Sequence, residues 1–332
     1  ILFLEKKWLL KFLNKLHNMI KLFLIGYMKN KNTKIILRYG ENPNQKSYLI
    51  NHKKNSIFSY QISGKQISYN NIIDLDSGLK CLKEFFEPTS IILKHTNPCG
   101  IASAKNIEIA FNRSYESDPK SAFGGIILLN RKVNSRLAMK IYNNFYEMIV
   151  ALDFDQNALK ILEKKKNLII IKIPNIKKTT LEYRSTLFGD LYQTTDLVPI
   201  NKKFLSLVSK KKGSTKSIND LIFSLKVAKH LKSNAIVLSR NKQTLGLGHG
   251  HTNRVDALHF AIKNMNKYFK KGNFVCASDG FFPFVDSINL LNRNKCNAIA
   301  QPGGSINDKV IISFSIKNKI SLYFIKNRLF KH

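Results

Sequence analysis

The chain has 332 residues, 44% of them hydrophobic, with 22 Phe and 12 Tyr, and a formal net charge of +34. That apolar content excludes a disordered chain and, at this length, predicts a large core shared between two domains. The 55 basic residues include nine Arg, and the lysines run through the whole chain among Asn and Ile without interleaved exposed aromatics; this reads as A+T-rich coding, not a nucleic-acid surface.

In chain order, residues 1–30 are rich in Leu, Ile and Phe but interrupted by Lys6, Lys7, Lys11, Lys15 and Lys21. The spacing predicts an amphipathic helix or two. It gives neither the ~20 apolar residues of a membrane span nor a cleavable leader. The first residue is Ile1, which reads as a fragment or a non-standard start. Leu37–Gln45 reads as a polar turn, in which Arg38 offers a planar fork for phosphate and Tyr39 a flat face with a hydroxyl.

Ser90–Lys94 is a short apolar strand, followed by a turn over Thr96–Gly100. Ile107, Phe111 and Tyr115 recur at helical spacing behind a capping Asn106. Gly125–Leu129, Met148–Leu152 and Leu168–Ile173 read as strands, alternating with helices at Leu137–Phe145 and Asn157–Lys164. After a join within 175–220 the alternation restarts. Strands at Ala235–Leu238 and Thr244–Leu247 flank the turn Arg240-Asn241-Lys242. A helix marked by Val255, Leu258, Ile262 and Met265 comes next, then strand Phe274–Ala277 and helix Val285–Leu291. Strand Ala298–Ala300, helix Asp308–Ser315 and strand Ser321–Ile325 close the chain. Such alternation implies α/β layers, and two rounds of it imply two similar subdomains.

In layered α/β folds, sites gather at the carboxyl ends of strands. The segment Lys94-His95-Thr96-Asn97-Pro98-Cys99-Gly100 puts a cation beside an imidazole there, able to stabilise an oxyanion and move a proton. A His satisfied within a turn is the simpler reading of that pair alone. The spacing excludes a zinc deaminase, because neither H-x-E nor P-C-x-x-C is present. The cysteines Cys81, Cys99, Cys276 and Cys296 are scattered without a C-x-x-C pair, against a disulfide framework or structural zinc and in keeping with a reducing cytoplasm. Gly246–Arg254 is a strand–glycine loop–helix junction with two histidines but no acid or Cys among them. Ala277–Phe284 sets Asp279 beside Phe281, Phe282 and Phe284, which suits either a heterocycle or a capped helix with core aromatics.

Together, and in this order, these segments carry a resemblance. From Leu37 to His332 the chain resembles the AICAR (aminoimidazole-carboxamide ribotide) transformylase part of the bifunctional transformylase/IMP cyclohydrolase family. The matching stretches are Leu37–Gln45, Gly64–Asn71, Lys94–Gly100, Asp118–Gly125, Lys232–Ala235, Gly246–Arg254, Ser278–Phe284, Gln301–Ser305 and Arg328–His332. The resemblance implies two cytidine-deaminase-like three-layer α/β/α subdomains in tandem, here 37–200 and 201–332, with 1–36 as a helical remnant or linker from a cyclohydrolase domain that this chain lacks. It implies formyl transfer from 10-formyltetrahydrofolate to AICAR in a cytoplasmic homodimer with shared active sites, without catalytic metal, nucleic acid or membrane.

By the same resemblance His95 moves the proton and Lys94 stabilises the oxyanion. Arg38, Tyr39 and Arg328 hold the ribotide, Asn234 orients its carboxamide, Asp279 meets the folate, and Phe330 with His332 closes the site. The chain departs from the family pattern at Asn44, at His249, His251 and Asn253 in place of Ala, Gln and Ser, and at Gly280 in place of Ala. A basic nucleic-acid-binding protein or a non-catalytic relic on the same scaffold is the competing expectation.

Overall fold

The computed structural model describes residues 33–51, 56–174 and 180–332; the amphipathic helices expected within 1–30 lie outside them. The chain divides into two compact units, residues 61–65 with 70–332 forming the larger. In the smaller, β1 (Thr33–Ile36) and β2 (Tyr48–Asn51) pair as an antiparallel hairpin.

The larger unit is built on one mixed sheet of twelve strands. Its first half runs β3 (Gln61–Ser63), α1 (Tyr69–Leu82), β4 (Thr89–Lys94), β5 (Asn97–Ser103), α2 (Ile107–Ser117), α3 (Pro119–Ala122), β6 (Ile126–Leu129), α4 (Ser135–Tyr142), β7 (Met148–Ala151), α5 (Gln156–Leu162) and β8 (Ile169–Lys172). A separate hairpin, β9 (Leu181–Thr186) with β10 (Gly189–Thr194), and β11 (Leu205–Leu207) lead to the second half. That half is α6 (Thr215–Ala228), β12 (Ile236–Arg240), β13 (Gln243–Gly248), α7 (Arg254–Tyr268), β14 (Phe274–Ser278), α8 (Val285–Arg293), β15 (Cys296–Pro302), α9 (Asp308–Lys317) and β16 (Ser321–Ile325).

The two halves repeat one topology. The strand order is β11-β16-β15-β14-β12-β13-β5-β4-β6-β7-β8-β3. In each half a hairpin (β4–β5, β12–β13) is followed by an antiparallel step (β4–β6, β12–β14) and two parallel ones. The halves meet at β5 and β13, antiparallel, with Gln243 opposite Ala102. Alternation along the strands divides the core between two faces. Ile236, Leu238, Cys276, Ile299 and Leu322 pack under α7, α8 and α9, while Val275, Ala277, Ala298 and Tyr323 pack under α6 through Ile218, Leu221 and Leu225. In the first half Ile92, Ile127, Ile149 and Ile170 face α2, α4 and α5, and α1 lies on the opposite face, its Gly78 against Leu128. This is a three-layer α/β/α arrangement, as expected for an α/β chain.

Close helix–strand approach at the seam needs glycine. A Cβ on Gly100 of β5 would stand 2.0 Å from the Ser114 carbonyl of α2, and one on Gly246 of β13 would stand 2.0 Å from the Ala261 carbonyl of α7. One expectation fails nearby. Asn97–Gly100 is not a turn but the start of β5, with Pro98 opposite Leu93 at a bulge. Pro-Cys-Gly has turn composition, yet a bulge accommodates a proline that cannot donate to the ladder.

Candidate functional site

The turn between β4 and β5 is only two residues, His95 and Thr96, both left-handed at φ 52° and 64°. Successive positive φ values fit the right-handed twist of a hairpin; His tolerates them, but a β-branched Thr does not suit them. Side chains hold the loop: Asp74 of α1 accepts the Thr96 N–H at 2.6 Å, Ser77 donates to the Thr96 carbonyl at 3.0 Å, and Asn97 donates to the His95 carbonyl at 2.9 Å. Lys94, the last residue of β4, donates through Nζ to the Phe123 carbonyl at 2.9 Å. A fixed ammonium thus stands next to an exposed imidazole at a strand end. Burial, with the Asp118 charge adding to it, pushes the Cys99 thiol up to about 12; a thiolate nucleophile is disfavoured there.

A second cluster joins three segments of the other half. Asn234, entered through a cis peptide bond from Ser233, donates to the His251 and Thr252 carbonyls at 3.0 and 3.1 Å. Its Oδ1 accepts from Arg254 Nη2 at 2.7 Å, and the same nitrogen reaches Asp279 Oδ1 at 2.9 Å. Arg254 Nη1 holds the Phe281 carbonyl at 3.2 Å. Asp279 is 0% exposed, with its second oxygen unpartnered. It neutralises and orients the Arg254 guanidinium, as a buried acid needs a paired cation.

Arg254 is the residue that sequence reasoning missed as a participant, although it closes the glycine loop and opens α7. The departures near it have local explanations. Asn253 caps α7, accepting the Asp256 N–H at 2.7 Å, a task Ser also performs. A Cβ on Gly280 would come within 2.4 Å of Arg254 Nη2, so Gly280 lets the guanidinium sit where it does. Burial pushes the His249 imidazole below its ordinary value, helped by the charges of His251 and Lys232.

The carboxy-terminal segment is tied down, not frayed. Leu329 N donates to the Asp279 carbonyl at 3.0 Å, and Ser233 N and Lys331 O pair at 2.9 Å. The Arg328 guanidinium lies 5.6 Å from the ring centroids of both Phe281 and Phe330, and the Phe330 and His332 rings are 6.0 Å apart. Lys331 Nζ donates to the His230 carbonyl at 3.1 Å and meets Ser77 Oγ at 3.5 Å. Through Ser77 the tail adjoins the hairpin that bears His95. Arg38 and Tyr39 belong to the smaller unit, where Arg38 Nη2 donates to the Tyr39 hydroxyl at 2.8 Å and the guanidinium stacks 4.6 Å from its ring.

Among the described residues no three His, Cys, Asp or Glu side chains converge as a metal site, and no helix is long and apolar enough to cross a membrane.

Residues 8–264 match the family described as AICARFT/IMPCHase bienzyme. The chain is 45% identical over 304 residues to the bifunctional purine biosynthesis protein PurH of Caldicellulosiruptor bescii, covering 89% of this chain and 59% of that protein. It is 44% identical over 308 residues to the protein of the same name from Buchnera aphidicola subsp. Baizongia pistaciae, covering 89% and 58%. The chain therefore spans less than two thirds of the length of these relatives.

Proposed function

Because the chain belongs to the AICARFT/IMPCHase bienzyme family, we propose that it is the formyl-transferring part of a purine-biosynthesis enzyme, moving a formyl group from 10-formyltetrahydrofolate to the 5-amino group of AICAR to give the formylated ribotide, FAICAR. The observation that carries the reading is the Lys94–His95 pair at the β4–β5 tip, with the ammonium anchored and the imidazole open to solvent.

The amine of AICAR is a poor nucleophile, since its ring withdraws electrons. Positioning and charge stabilisation must therefore do more than a strong base. Attack of the amine nitrogen on the formyl carbon forms the new C–N bond and puts negative charge on the formyl oxygen, which Lys94 stabilises. His95 takes the proton from the attacking amine and delivers it to N10 of the folate as the old C–N bond breaks. Asn234, held by Arg254, orients the carboxamide; Arg38 and Arg328 take the phosphate beside Tyr39; Phe330 and His332 cover the bound ligands. Asp279, which holds Arg254 through one oxygen, meets the folate.

We assign the working form as a cytoplasmic homodimer whose active sites draw Lys94 and His95 from one chain and the Asn234 cluster from the other. The direct test incubates the protein with AICAR and 10-formyltetrahydrofolate and follows release of tetrahydrofolate. A folded protein that transfers no formyl group, or that binds duplex DNA in a salt-dependent way while ignoring AICAR, overturns the proposal. Mixing the inactive variants His95→Ala and Asn234→Ala in equal amounts should restore about a quarter of the activity if each site of a two-fold dimer draws on both chains; no recovery removes the shared-site part.

A further inference from the structure

The repeated topology duplicates the hairpin tip as well as the strands. Asp74 and Asp220 are each the sixth residue of their helices, α1 and α6. Asp220 grips the β12–β13 turn as Asp74 grips the β4–β5 turn, accepting the Asn241 and Lys242 N–H groups at 2.9 and 2.7 Å. Asn241 and Lys242 are left-handed at φ 55° and 54°, as His95 and Thr96 are. Since β5 and β13 run antiparallel from the Gln243–Ala102 pair, the end of β13 leads to the first tip and the end of β5 to the second. The second tip is thus the internal counterpart of the Lys94–His95 loop at the opposite edge of the sheet.

A hollow of about 450 Å³ lies there, lined by the end of β5, the first turns of α6 and the turn itself. It is open to solvent, which suits the capture of a charged group more than the burial of an apolar ligand. Lys105, Arg113 and Lys216 face the hollow. The acids that line it are already engaged: Glu87 pairs with Lys242 Nζ, and Asp220 is taken by the two turn N–H groups. Arg113 makes only a 3.4 Å contact to the Asn241 carbonyl, and neither Lys105 nor Lys216 has an ion-pair partner among the described residues. The cations lining the groove, Lys105, Arg113, Lys216 and Lys242, thus outnumber its two acids, Glu87 and Asp220, and the amino-terminal end of α6, capped by Ser214, adds positive potential.

We propose that this groove is a second ligand site, distinct from the formyl-transfer site, that binds a small phosphate-bearing molecule. Lys105 and Lys216 supply point charges, the Arg113 guanidinium a planar fork for paired oxygens, and the Asn219 and Asn241 amides neutral hydrogen bonds. One half of the repeat then keeps its tip for chemistry and the other keeps it for binding.

The test is calorimetric titration with inorganic pyrophosphate in 150 mM KCl, where diffuse attraction to a +34 chain is screened beyond about 8 Å. Three folded proteins are compared: wild type, K105Q/K216Q, and K309Q/K317Q, which removes the same charge from α9. Wild type and the α9 variant should bind pyrophosphate saturably and alike, and K105Q/K216Q should bind at least tenfold more weakly or lose one site. Absent binding in wild type, equal weakening in both variants, or wild-type binding by K105Q/K216Q each overturns the proposal. Formyl transfer by K105Q/K216Q should persist, so failure here is separable from failure of the enzymatic reading.

Discussion

The β4–β5 and β12–β13 tips are the same device used twice, and the contrast lies in what each turn displays. Both are two-residue left-handed turns clamped by an aspartate from the helix that precedes the hairpin. At the second tip the left-handed positions carry Asn and Lys, of which Asn adopts that region readily, and the clamp closes both turn N–H groups. At the first they carry His, which also visits that region, and a β-branched Thr, which enters it against its preference, and only the Thr96 N–H is clamped. A backbone whose preferences have been overruled is where a functional constraint is expected. The comparison teaches that the scaffold supplies the turn and the side chains decide its use.

The sharpest break of that comparison is catalytic. His95→Ala should lower kcat by about 10²–10⁴-fold, the range for loss of a positioned proton-transfer group, while AICAR affinity measured by calorimetry stays nearly unchanged. Asn241→Ala at the other tip should leave kcat alone. Equal loss from both, or loss of AICAR binding together with turnover in His95→Ala, would contradict the assigned roles.

The next effect is on stability. Asp220→Ala frees two turn N–H groups and should cost roughly 3 kcal/mol in urea unfolding, against roughly 1.5 kcal/mol for Asp74→Ala, which frees one. A reversed order would show that the first clamp bears more of the fold than its single bond suggests.

A pH experiment sharpens the likeness of the two clamps. Burial pushes the Asp74 carboxyl above its ordinary 3.8, against the opposing pull of the Thr96 N–H and the His95 charge. It does the same to Asp220, against the Lys242 and Asn241 N–H groups. Between the unfolded value and the raised folded one, the folded state holds a proton that the unfolded chain has released. Stability relative to an Asp→Asn variant therefore grows as pH falls through that window. The deficits of Asp74→Asn and Asp220→Asn should both widen from neutral pH toward pH 4. A deficit that narrows would reverse the sign assigned to burial.

The smallest effect concerns the turns themselves. Thr96→Gly relieves a β-branched residue at φ 64° and should add up to about 1 kcal/mol, whereas Asn241→Gly should be near neutral. Thermal unfolding curves separate them.

Much of the fold was legible because its strands are short, fully apolar and evenly alternated with amphipathic helices. Ile126–Leu129, Met148–Ala151 and Ile169–Lys172 fall where the apolar runs put them. The helices α1 and α6 escaped notice, since Asn70, Asn71, Asp74, Asp76 and Gly78 break up the apolar pattern of the first and Ser, Asn and Lys that of the second. Of the site, the Lys94–His95 strand end could be read directly. The clamp by Asp74 could not, because its partner is 22 positions away. Nor could the Arg254–Asp279 pair, 25 positions apart, since such contacts are set by the sheet order and not by local spacing. The burial of Asp279 has the same origin.

The seam between β5 and β13 carries one last consequence. Thr244 Oγ1 accepts the Ile101 N–H at 3.0 Å, Ser117 Oγ donates to the Thr244 carbonyl at 2.7 Å, and Ser103 N donates to the Lys242 carbonyl at 2.9 Å. Cut apart, each half would bare a glycine-bearing apolar edge strand along its length, a template for indiscriminate pairing with other chains. The two halves are therefore obligate companions: each serves as the other's protection against aggregation, and neither should be recoverable as a soluble protein when expressed without its mate.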